Sequence, residues 1–138
     1  MRNSISENDI EGIALSYLKG LGYSYLLGTA ISPDGEHPER QYNEVVLATR
    51  LRDAIDKLNP DIAQDAKEDA LKKVLRTESP NALINNENFH RYLTDGVDVE
   101  RRTESGIRGE KIYIVDFESA ENNEFLAVNQ FTIIEGNQ

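Results

Sequence analysis

Apolar residues recur along this chain first with the period of a helix and later with that of a strand. Ile10, Ile13, Ala14, Tyr17, Leu18 and Leu21 fall at i, i+3, i+4, i+7, i+8 and i+11, a spacing that gathers side chains on one helical face. Ser6 is placed as the N-cap, Glu7 and Asp9 suit the positive end of the helix, and Gly22 stops it. The run YSYLL predicts a short strand. Gly28 to Arg40 predicts a polar loop in which SPDG supplies the turn.

From Gln41 the helical period returns, with Val45, Ala48, Leu51, Ile55 and Leu58 on one side until Asn59-Pro60 breaks it. Ile62, Ala66, Ala70, Leu71, Val74 and Leu75 mark a third helix. Ser79-Pro80 supplies an N-cap and a helix-starting proline for a fourth, running toward Asp95-Gly96. Past Gly96 the pattern changes to strands: VDVERRTE, a turn at SG, then IRGEKIYIVDF, in which IYIV is apolar on both faces and calls for partners. FLAVNQFTII is the next strand, and a turn is expected at the glycine that follows it. These elements define an α/β or α+β chain, helix-rich in its first two thirds, with a mixed sheet assembled late. At 138 residues with no repeat or linker-like tract, one domain is the expectation.

Fifteen Lys and Arg against twenty-five Asp and Glu leave a net charge of −10. That balance opposes a dedicated basic nucleic-acid module while still allowing a local basic groove. The chain has no cysteine, so no disulfide framework or cysteine-ligated metal is encoded. With no signal-peptide core after Met1 and no long apolar run, no membrane is expected and the cytoplasm is the simplest location.

The phosphate-binding patterns G-x-x-x-x-G-K-S/T and G-x-G-x-x-G do not occur. His37 in a turn-rich loop and His90 in a helix lack a third ligand, which favours two ordinary histidines over a metal site. PDIAQDAK, with Asp61, Asp65 and Lys67, imitates the P-D…D/E-x-K pattern of Mg²⁺-dependent nucleases. That chemistry needs its carboxylates on adjacent strands, and these residues sit at a helix start, so the imitation is a decoy. Asp116 and Glu118 in IVDFES fall on one side of a strand, where they either reach a cation or face solvent at the strand's end. Arg101, Arg102, Arg108 and Lys111 concentrate positive charge around the hairpin, as a DNA-facing lip or as charges that keep an edge strand soluble. By pattern alone, Glu11 is a solvated helix carboxylate.

Three longer stretches are more specific: EGIALSYLKGLGYSYLLG, SPDGEHPERQYNEVVLATRLRDAIDKLNP and ENNEFLAVNQFTIIEG. Together they resemble the N-terminal region of the restriction (R, or HsdR) subunit of type I restriction-modification enzymes, over nearly the whole chain and in order. The resemblance implies a subunit that cleaves foreign double-stranded DNA, translocates it with ATP, uses Mg²⁺ and joins modification and specificity subunits. It implies that residues 1–138 are the first portion of an incomplete restriction-endonuclease-like (PD-(D/E)xK) domain. The catalytic Asp and Glu-x-Lys strands would follow the NQF strand and lie past Gln138. This fragment is then expected to be inactive alone, with no cofactor bound. The family's first helix carries an acidic residue that approaches the metal site, and Glu11 is the matching position. The alternative is a small, non-enzymatic acidic domain that docks a protein partner.

Overall fold

A computed structural model describes residues 5–76 and 79–135. The chain divides into two compact units, one of Met1–Val45 with Glu124–Gln138 and the other of Val46–Asn123. The turn expected after the last strand, at Gly136, lies outside the described residues. Among those described, no helix is long and apolar enough to cross a membrane.

In the first unit, helix α1 (Glu7–Gly20) starts at Ser6 as expected, through a reciprocal cap. The Asp9 amide donates to the Ser6 hydroxyl (3.2 Å), and the Ser6 amide donates to the Asp9 carboxylate (3.0 Å). The buried face is not the one the periodicity marks. Ile10, Ile13, Tyr17 and Leu21 are exposed, Ile13 at 68% and Tyr17 at 72%. Glu11, Leu15 and Leu18 are the half-buried positions, and their i, i+4, i+7 spacing makes an equally regular helical stripe.

Strand β1 (Ser24–Leu27) pairs in parallel with β4 (Leu126–Asn129), Ser24 opposite Leu126 and Leu27 opposite Asn129. Between them in sequence, residues 28–40 open with a four-residue helix, α2 (Gly28–Ile31), where a loop was expected. The helix expected from Gln41 begins only at Ala48. Arg40 explains the delay: its side chain is 4% exposed, and its Nε donates to the Glu44 carbonyl (2.9 Å) while Nη2 donates to those of Tyr42 (3.2 Å) and Thr132 (2.6 Å). Carbonyls turned toward a buried guanidinium do not line up along a helix axis to accept i+4 amides.

In the second unit, α3 (Ala48–Leu58) and α4 (Gln64–Leu75) pack together, and α4 packs on β2 (Val97–Thr103) and β3 (Gly106–Ile112). Ile55, Ala66, Ala70, Leu71, Val74, Val97, Val99, Ile112 and Ile114 form the core. Helix α5 (Ala82–Asp95) adds half-buried Tyr92 and Leu93. Its cap is Asn81, which accepts from the Leu83 amide, rather than Ser79; the Ser79 hydroxyl accepts from the Asn81 amide one step earlier. The hairpin turn is Glu104-Ser105, and Gly106, at φ 119°, already faces Thr103 across the ladder.

The sheet is therefore not one late mixed sheet. Among the described residues there are two two-stranded sheets, parallel β1–β4 and antiparallel β2–β3. The strand expected through IYIV is shorter, because β3 ends at Ile112 and Tyr113 is half exposed. Asn59 takes over there. Its Nδ2 donates to the carbonyls of Tyr113 and Ile55 (2.8 Å each), and its Oδ1 accepts from the Tyr113 amide (2.9 Å). A buried side-chain amide thus supplies the next rung of the ladder and ties it to the end of α3.

Asn59→Asp removes both donated bonds and sets a carboxylate against two carbonyls. We expect a loss of about 3 kcal/mol in urea unfolding of the second unit, against less than about 0.5 kcal/mol for Asn86→Asp on the exposed face of α5.

Candidate functional site

Glu11 is the sequence-named residue that the fold equips most fully. It projects from α1 toward the C-terminal end of β4, where Asn129 Nδ2 donates to its Oε1 and Gln130 Nε2 donates to its Oε2 (2.8 Å). Asn129 is held in turn, its Oδ1 accepting from the Gly28 amide at 3.4 Å. Gln130 adopts a positive φ of 50°, which ends the strand and turns its side chain out of the ladder. Gly28 has no room for a side chain, since a Cβ there would collide with the backbone oxygens of Asn129 and Gln130. The result is a carboxylate with both oxygens oriented, beside an open depression of about 500 Å³ lined by Asn8, Glu11, Gly12, Leu15, Asn129 and Gln130.

As a Mg²⁺ site this set does not suffice. The ion needs several oxygens in near-octahedral array, and among the described residues no group of three or more His, Asp or Glu is arranged to hold a metal. One carboxylate that already accepts two amides is a single ligand at most.

The other named residues are dispersed. Asp61 is exposed in the turn before α4; Asp65 lies in that helix's first turn and accepts from the Ala66 amide (2.9 Å); Lys67 folds onto Asp56 of α3 (3.6 Å). His37 and His90 are exposed on separate units. Asp116 and Glu118 do not share a strand, because β3 has ended. Asp116 instead organises the following loop, accepting from the amides of Glu118 and Ser119 (2.9 Å each) and from Asn122 Nδ2 (2.9 Å). The Asn122 bond and the backbone amides hold its carboxyl below the usual 3.8.

The four hairpin cations divide by strand alternation. Arg101 sits directly opposite Arg108, on the face that carries Val97, Val99 and Ile112; Arg102, opposite Ile107, and Lys111, opposite Asp98, take the other face. Arg101 is held by Glu110 (3.4 Å) and Lys111 by Asp98 (3.4 Å).

Asn129, Gln130, Gly28 and Arg40 were not singled out from the sequence. The available sign was a pair of amides, Asn129-Gln130, closing an apolar strand run, where strand formers would be expected.

The architecture is that of an α+β protein in which a helix carboxylate is clasped at the end of a parallel strand pair. The chain belongs to the family described as type I restriction enzyme R protein N terminus (HSDR_N), whose model matches residues 4–138. It is 34% identical over 130 residues to the type I restriction enzyme HindI endonuclease subunit of Haemophilus influenzae. It is 31% identical over 125 residues to the putative type I restriction enzyme MjaIXP endonuclease subunit of Methanocaldococcus jannaschii. These alignments cover 94% and 90% of this chain, and the chain spans only 12% of each relative's length. No solved structure matches it significantly.

Gly28→Ala should force α2 away from β4 at a cost of about 2 kcal/mol, seen as faster hydrogen exchange across β1–β4 and loss of the protected Asn129 side-chain amide signals. Asp116 should titrate below 3.8 by carboxyl NMR. Because its folded pKa is depressed, its stabilisation of the loop is fully present above that value and is lost as pH falls through the folded pKa. Asn122→Ala should bring the titration back toward 3.8.

Proposed function

We propose that this chain is the leading part of the nuclease domain of a type I restriction R subunit, and that the whole enzyme hydrolyses phosphodiester bonds of foreign double-stranded DNA. The observation that carries this reading is the Glu11 clasp: the family resemblance implies an acidic residue at this helix position, and here Glu11 is oriented at the end of the NQF strand. In this reading the strands bearing the catalytic Asp and Glu-x-Lys come after that strand in the longer protein. In this scheme Asn129 and Gln130, which donate to the Glu11 carboxylate, would keep it oriented toward those residues.

The whole protein would then use Mg²⁺ for cleavage and ATP for translocation, and would work in the cytoplasm beside modification and specificity subunits. Glu11 is a positioning residue in this scheme. Its fixed negative charge would order a water or a cation hydrate near the site without being a sufficient ligand set.

The 138-residue chain alone should show no Mg²⁺-dependent cleavage of plasmid DNA. In the longer R subunit assembled with its partners, Glu11→Gln should lower cleavage about tenfold or more while leaving ATP hydrolysis near its original rate. Equal losses of both activities, or cleavage by the short chain that persists through purification and disappears in Glu11→Ala, would contradict the assignment.

A further inference from the structure

Two surface features of the second unit match each other in chemistry. One is a cleft of about 410 Å³, whose apolar lining comes from Leu58, Tyr113, Val115 and Phe117 and whose acidic rim comes from Asp116 and Glu118. Phe117 is 71% exposed, yet the loop that presents it is firmly held. Besides the bonds to the Asp116 carboxylate, the Asn123 side chain pairs with the Asp116 backbone in both directions (2.8 and 2.7 Å). A loop ordered in advance around an exposed aromatic loses little further freedom on contact, which favours recognition.

The other feature is the hairpin tip. Ile107 is 67% exposed there, with Arg102 directly across the ladder on the same face and Arg108 on the opposite one. Arg101 and Lys111 are engaged by hairpin carboxylates; Arg102 and Arg108 form no ion pair or hydrogen bond among the described residues. An apolar knob beside a free guanidinium group is what an apolar cleft with an acidic rim would receive. The knob cannot fill the cleft of its own chain, since six residues of extended chain, roughly 20 Å, separate Ile107 from Tyr113.

We propose that the hairpin tip, with Ile107 beside Arg102, docks in the Tyr113–Phe117 cleft of a second copy of this chain, where Asp116 and Glu118 receive the guanidinium group. Each copy offers one knob and one cleft, so a two-fold pair makes both contacts and closes. Each copy carries a net charge of −10, so the attraction is local to the tip and the rim. The inference is independent of the nuclease assignment.

Sedimentation velocity on the full chain over a concentration series should show a reversible dimer that weakens as salt rises. Ile107→Glu and Phe117→Ser should each raise the dimer dissociation constant by about tenfold or more with unchanged circular dichroism and melting. Mixing the two variants should give more dimer than either alone, because the intact knob of one meets the intact cleft of the other. Ile13→Glu on the exposed stripe of α1 should change nothing. A strict monomer up to about 1 mM would overturn the proposal. So would a mixture no more dimeric than its parts, association lost in Ile13→Glu, or Arg102→Ala weakening binding to a short DNA duplex while leaving self-association intact.

Discussion

Unit two is held at the junction of its helices and its sheet by the buried amide of Asn59. Strand β3 runs out of ladder partners at Ile112, and a peptide group left there without partners would cost more than a single hydrogen bond gains. Asn59 solves this because a carboxamide has the same donor and acceptor spacing as a peptide and can pair with Tyr113 in both directions. Its third bond, to Ile55, joins that rung to the last turn of α3. This side chain thereby ties the end of α3 to the residue that follows β3.

The same device recurs. Asn123 pairs both ways with the backbone of Asp116, and Asn85 does so with Ser79 ahead of α5. Asn129 performs a variant, receiving the Gly28 amide and giving its own to Glu11. Short sheets and frequent turns leave many peptide groups unpaired, and carboxamide side chains close the deficit. Aspartate could not replace them, since it lacks the donor.

This also explains what could be read from the sequence. The helices α1, α4 and α5 and the hairpin follow from spacing and local chemistry, and their centres lie where the periodicity puts them. The start of α3 was missed because Arg40, a residue that composition marks as surface charge, is buried against Phe131 at 3.8 Å and gathers the carbonyls of Tyr42 and Glu44. The pairing of β1 with β4 is a long-range parallel contact, and nothing local announces it. The buried face of α1 escapes the periodicity for a related reason: two stripes fit its period, and the one with fewer apolar residues, containing Glu11, is turned toward the strands. Glu11 itself could be named only by family resemblance. Its orientation by Asn129 and Gln130 is visible only once the last strand lies beside the first.

That long-range pairing orders the chain's history as well as its shape. Residues 46–123 form a continuous stretch nested inside a unit whose own halves are separated. On the ribosome β1 emerges about a hundred residues before β4, an interval of roughly 5–20 s at ordinary elongation rates. The nested unit can reach its native packing within that interval. The carboxylate clasp must wait until β4 has emerged, so the unit that contains it is completed after residues 46–123 have had time to fold.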